Sequence, residues 1–243
     1  MNQHTELLIR QRVEQCLSGS GIGSLYKEKC MNWSGSVGKE PYSEICAAAL
    51  LDFGFVEKLK KLQVITRTTG YVTPGHDGQP TGTNRKEEDF AKALFRGKWF
   101  HCIGRVLDYQ VPLKNKQDDK AGKIDLVSYC SDPATVFLIE LKVKDGAKDT
   151  LLRAVLEIAT YYQVLDRKKF CDDYNCAFQK EDIHFKKGQI KKALLIEVGS
   201  LSHLQIKTKQ MGQELKELIR KLRITVFSVE PTGQSHSVQE LTI

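Results

Sequence analysis

At 243 residues, with 41% hydrophobic and 28% charged side chains, the chain has an ordinary globular make-up and enough length to bury a sizeable core. No apolar run reaches the roughly 18 to 20 residues of a membrane helix, and the opening MNQHTELLIRQ lacks the basic-then-apolar pattern of a secretion signal; the expectation is a cytoplasmic protein with no membrane partner. The net charge of +7 is unevenly placed, with nine basic and eight acidic residues up to Asn84 against 28 and 22 after it, a balance that suits a phosphate-bearing partner without demanding one.

In chain order, Leu7, Leu8, Val13 and Leu17 predict a helix over 6–17, which SGSGIGS then breaks. A second helix is predicted from Ser43, a good N-cap, through EICAAALLDFGFVEKLKKL. The segment TPGHDGQPTGTN, dense in Gly, Pro, Asn and Thr, is a loop or hinge that holds His76. Residues 1–80 therefore form a mainly helical segment, and residues 81–243 carry a different order of elements.

NRKEEDFAKALF predicts a helix capped by Asn84, with Phe90, Ala91, Leu94 and Phe95 on one side. WFHCIGRVLDYQV is predicted as one strand containing His101, followed by the polar break KNKQDDKAGK. Residues 124–144, IDLVSYCSDPATVFLIELKVK, form two buried strands about a Ser-Asp-Pro turn. One long amphipathic helix is predicted over about 148–168, then strand IKKALLIEVG, helix GQELKELIRKL and strand ITVFSVE. The order helix, three strands, helix, strand, helix, strand predicts an α/β sandwich around a mixed sheet.

The apolar strands contain charges that do not belong in a core: Asp125 in the first, Glu140 and Lys142 in the second. Alternation sends Glu140 and Lys142 to one face, and an antiparallel register pairing Asp125 near Glu140 brings the two carboxylates together. Adjacent carboxylates repel unless a cation or a proton lies between them, and oxygen ligands of this kind favour Mg²⁺ or Mn²⁺. Lys142 would orient or deprotonate a water, or stabilise charge on a phosphate oxygen. The alternative is a buried ion-pair network in which Lys142 bridges the two acids without metal.

Asp125, then Glu140-Leu141-Lys142, in apolar strands that follow a helix carrying Glu87 and Glu88, resembles the PD-(D/E)xK nuclease superfamily over about residues 85–198. The resemblance implies a restriction-endonuclease-like core in which Asp125, Glu140 and Glu87 hold Mg²⁺ or Mn²⁺ and Lys142 acts on the attacking water. Glu87, three and seven residues before Phe90 and Leu94, is favoured for the helix carboxylate, with Glu88 in reserve. Ile124 stands where the family's naming proline would be. A Gln followed four residues on by Tyr, found in some subfamilies, is not matched, because Gln163 is followed by Arg167.

The implied function is hydrolysis of phosphodiester bonds, in DNA ahead of RNA, with a homodimer as an open expectation because many relatives use two sites on two strands. Lys123, Lys144, Lys148, Arg153 and Gln163 are the candidate contacts to nucleic acid; Arg153, Tyr161 and Gln163 either face the substrate or form a solvated helix face, and residues 1–80 would help recognise substrate. The competing class is an inactive nuclease fold that binds nucleic acid or protein. Other motifs fail: SGSVGKEP lacks the ends of a phosphate-binding loop, and neither G-x-S-x-G nor H-E-x-x-H occurs. Seven cysteines without C-x-x-C read as reduced thiols, and Cys171, Cys176 and His184 lack the second ligand pair of a structural zinc site.

Overall fold

Ile9, Val13 and Leu17 recur every four residues and form the buried stripe of α1 (Glu6–Ser18), while Leu7 and Leu8 of the predicted apolar set face solvent. The computed structural model describes residues 5–18, 21–79, 85–115, 122–145, 149–181, 183–207, 211–232 and 235–243. Two 3₁₀ turns (Ile22–Lys27 and Lys29–Asn32) and a small hairpin of β1 (Ser36–Val37) and β2 (Glu40–Pro41) lead to α2 (Tyr42–Asp52). Pro41, not Ser43, occupies the capping position, and Ser43 lies in the first turn. The predicted continuous helix is broken by Gly54, whose φ of 69° ends α2 before α3 (Phe55–Leu59).

The loop after α3 is anchored. His76 Nδ1 meets the buried Asp108 carboxylate at 2.6 Å, and Tyr174 Oη donates to the same group at 3.0 Å. Asn84, the expected cap of the next helix, lies outside the described residues; α4 (Lys86–Gly97) follows with three acids in its first turn, favourable at a helix N-terminus.

The predicted first strand is two, β3 (Trp99–Phe100) and β4 (Gly104–Pro112), with His101 in the turn between them. The reason is steric. Gly104 adopts a φ of 72°, and a Cβ there would lie 2.1 Å from the Tyr129 carbonyl of β5 (Lys123–Ser131). β6 (Ala134–Lys142) returns antiparallel to β5, and β7 (Ile190–Glu197) and β8 (Ile224–Thr232) continue parallel to it. β9 (Ser235–Glu240) completes a seven-stranded mixed sheet in the order β3-β4-β5-β6-β7-β8-β9. It is a polar edge strand with one buried side chain, Val238, which leaves little hydrophobic pattern to predict it from.

The single helix expected after β6 is α5 (Leu151–Val164) and α6 (Arg167–Ala177). Leu165 turns extended to bridge Ile65, and Asp166 starts a new helix by accepting from the N–H groups of Lys168 and Lys169. The crossover from β7 to β8 carries α7 (Leu201–Lys207) and α8 (Gln213–Leu222), whose Leu215, Leu218, Ile219 and Leu222 are buried.

One face of the sheet packs under α4; the other shares a larger core with α5, α8 and the N-terminal helices. Glu44 of α2 ties the N-terminal segment to that core. It is 2% exposed and accepts the N–H groups of Gly212, Glu214 and Leu215 at 2.8, 3.1 and 3.2 Å, filling the start of α8. Among the described residues all seven cysteines are free, and no helix is long and apolar enough to cross a membrane.

Candidate functional site

The last residues of β6 place the chemistry. Val136, Leu138, Glu140 and Lys142 alternate onto the face that packs against α5, while Ile139, Leu141 and Val143 enter the core beneath α4. Leu126 pairs with Ile139, and the same antiparallel register carries Asp125 opposite Glu140. Asp125 is fixed by two donors, the Leu141 N–H and Gln110 Nε2, each at 2.9 Å.

Lys142 Nζ lies among acids. It donates to Glu140 Oε1 at 2.8 Å and lies 3.5 Å from Glu87 Oε1 and 3.7 Å from Asp149 Oδ2. Glu140 and Lys142 are 3% and 4% exposed, so this group is inside the protein. From α5, Arg153 pairs with Asp149 at 3.1 Å, and Tyr161 Oη donates to Glu157 Oε1 at 2.6 Å. A Cβ at position 122 would overlap the Tyr161 hydroxyl, so Gly122 gives this ring its place.

Five carboxylates, Glu87, Asp125, Glu140, Asp149 and Glu157, thus share the region with two cations, Lys142 and Arg153. The surplus negative charge shifts the protonation of the group. Burial, reinforced by Glu87 and Glu157 and opposed by Lys142 and the Leu141 N–H, pushes Asp125 up to about 7. Burial, then Asp125 and Glu157, raises Glu140 well above the carboxylate range. Glu87 is raised by burial against the attraction of Lys142. For Lys142 burial pulls downward, but Glu140, Glu87, Asp125 and Glu157 outweigh it and hold the ammonium charged.

Among the described residues, no group of three or more His, Cys, Asp or Glu side chains is arranged to hold a metal ion as it stands. The Lys142 ammonium occupies the middle of the acids. The donors nonetheless fit a hard divalent cation: all are carboxylate oxygens, they outnumber the cations, and Glu87 Oε1 is buried without a hydrogen bond.

Of the residues expected at the site, Asp125, Glu140, Lys142, Glu87 and Arg153 come together. Glu88 turns away to Lys92 and Arg85, at 3.0 and 3.2 Å. Lys123 and Lys144 are exposed just before Ile124 and just after Val143. Gln163 is not at the site; its amide donates to the Lys60 carbonyl at 3.1 Å. Lys148 lies outside the described residues.

Sequence reasoning missed Asp149, Glu157 and Gln110. A signal existed for the first two: 149, 153, 157 and 161 follow at four-residue intervals, so the face assigned to Arg153 and Tyr161 includes both acids. Gln110 gave none, since its reach to Asp125 accompanies a left-handed φ of 49° inside β4.

No protein-family model, curated protein or solved structure matches the chain.

Proposed function

We propose that this chain is a metal-dependent nuclease with a restriction-endonuclease-like core, hydrolysing phosphodiester bonds, in DNA ahead of RNA. The observation that carries the reading is the convergence of Asp125, Glu140 and Glu87 around Lys142 at the carboxyl end of β6, with more negative charge than the neighbouring cations balance. Asp125, Glu140 and Glu87 would hold Mg²⁺ or Mn²⁺, which when bound polarises a phosphate oxygen and makes water a better nucleophile.

The chain's own side chains supply the rest. Lys142, held charged by its neighbours, acts on the phosphate oxygen that gains charge and orients the attacking water. It becomes able to take a proton only when the negative charge around it falls. Gln110 and the Leu141 N–H keep Asp125 in place. Exposed Lys123 and Lys144 contact backbone phosphates, so binding weakens with salt. In the reaction a water oxygen bonds to phosphorus, one P–O ester bond breaks, and the departing oxygen takes up a proton.

A second reading rests on the 2.8 Å Lys142–Glu140 pair, which satisfies both charges without metal and suits a fold that binds but does not cut. Incubating circular and linear DNA, and RNA, with the protein in Mg²⁺, Mn²⁺ or EDTA separates the two. Metal-dependent cutting, lost in a Glu140→Ala/Lys142→Ala double variant, supports the nuclease. Binding without turnover on every substrate supports the second reading.

A further inference from the structure

Nearer the amino ends of the parallel strands, the same face of the sheet carries the opposite charge. Lys192 of β7 lies two residues before Leu194, the partner of Glu140, and pairs with Leu138 on one side and Ile224 on the other. It helps to line a cavity of about 430 Å³ together with Tyr162, Lys191, Arg223 and Thr225. That volume falls in the range of small-ligand pockets, roughly 300 to 1,000 Å³.

The pocket gathers cations around one ring. Lys192 Nζ lies 4.2 Å from the centre of the Tyr162 ring, and the Arg167 guanidinium lies 4.7 Å from it. Arg223 caps the end of α8 in a left-handed turn, φ 53°, immediately before β8 begins at Ile224. Among the described residues no Asp or Glu forms an ion pair with Lys192, Arg167 or Arg223. Burial pulls Lys192 down to about 8, with Arg167 and Arg223 adding to the shift.

We propose that this pocket is a phosphate-binding site, in which Lys192 and Arg223 hold a phosphate ester group beneath Tyr162. Phosphate matches the donors better than a carboxylate does, because its oxygens accept from an ammonium and a guanidinium at once and its charge offsets more than one cation. Two sources offer this group, a small phosphate ester and the backbone of a nucleic acid. The site holds whether or not the acidic cluster cleaves.

The test is calorimetric titration in EDTA at low ionic strength, with pyrophosphate and with a short oligonucleotide as probes, on the wild type, Lys192→Met and Arg223→Gln. The expected result is saturable one-to-one binding of pyrophosphate, weakened about tenfold or more in each variant, as the loss of a charged hydrogen bond implies. Oligonucleotide binding that pyrophosphate displaces and Lys192→Met weakens supports the site with backbone phosphate as its source; pyrophosphate binding with an indifferent oligonucleotide supports it with a small ester. No saturable binding of either probe, or binding equal in all three proteins, overturns the proposal. Should a variant fail to fold, acylation of Lys192 in the wild type decides: protection by pyrophosphate supports the site, and unchanged labelling overturns it.

Discussion

The two charged regions lie on one face of one sheet, under one helix, and differ in how their charges are matched. Around β6, five acids enclose Lys142 and Arg153, and every cation has an acid within 4 Å. Around β7, Lys192 has an aromatic ring and other cations for neighbours. α5 contributes to both, with Glu157 and Tyr161 turned to the acids and the adjacent Tyr162 turned to Lys192. The difference teaches that lysine is a counter-ion in one region and, among the described residues, a cation set against a ring and other cations in the other. The first region needs positive charge, and the second needs negative charge.

Removing the lysines therefore has unequal effects. Lys142→Met strands buried carboxylates and should cost about 3 to 5 kcal/mol in urea unfolding of the metal-free protein. Lys192→Met removes a cation that pairs with no acid among the described residues and should leave stability unchanged or higher. Equal losses in the two variants would break the comparison.

Stability against pH sharpens it next. Folded Asp125 holds its proton up to about 7, whereas the unfolded chain releases it near 3.8, so metal-free stability should fall as pH rises between these values. Lys192 loses its proton at about 8 when folded and at 10.5 when unfolded, so its own contribution to stability should rise with pH across that second window, against the buried thiols of Cys30, Cys46 and Cys171, whose raised values act the other way above about 9; the difference between wild type and Lys192→Met isolates it. Urea midpoints measured across the range check both limbs. Asp125→Asn should flatten the first, which the raised carboxyls of Glu140 and Glu87 share, and Lys192→Met should remove the Lys192 part of the second; Mg²⁺ should raise the midpoint at about pH 8 in the wild type.

Glu44 offers a third term, an acid whose burial is matched by three N–H donors. Glu44→Ala should cost about 2 kcal/mol by leaving the start of α8 unfilled, without changing the Lys192 limb. A thermal melt at two pH values is sufficient to see it.

The acidic region was more legible in the sequence than the cationic one, for physical reasons. A charge inside a period-two apolar run stands out, so Asp125, Glu140 and Lys142 are conspicuous in the sequence without any knowledge of register. Their antiparallel pairing followed from a short turn. Lys192 sits in IKKALLIEVG beside Lys191, where a lysine pair looks like an exposed strand end, and its partners Tyr162, Arg167 and Arg223 come from three other elements. The mixed sheet and its helix order were readable from hydrophobic periodicity. The splits at Gly104 and Asp166 were not, since one depends on a neighbouring strand's backbone and the other on a capping side chain within an amphipathic pattern.

The most direct measurement is the initial rate of Mg²⁺-dependent DNA cleavage by the wild type, Glu140→Gln and Glu88→Gln. The expected result is cleavage by the wild type, a fall of about 10²-fold to 10³-fold or more in Glu140→Gln, and an unchanged rate in Glu88→Gln, whose carboxylate pairs with Lys92 outside the site. Absence of cleavage in the wild type with either metal, or full activity in Glu140→Gln, would contradict it.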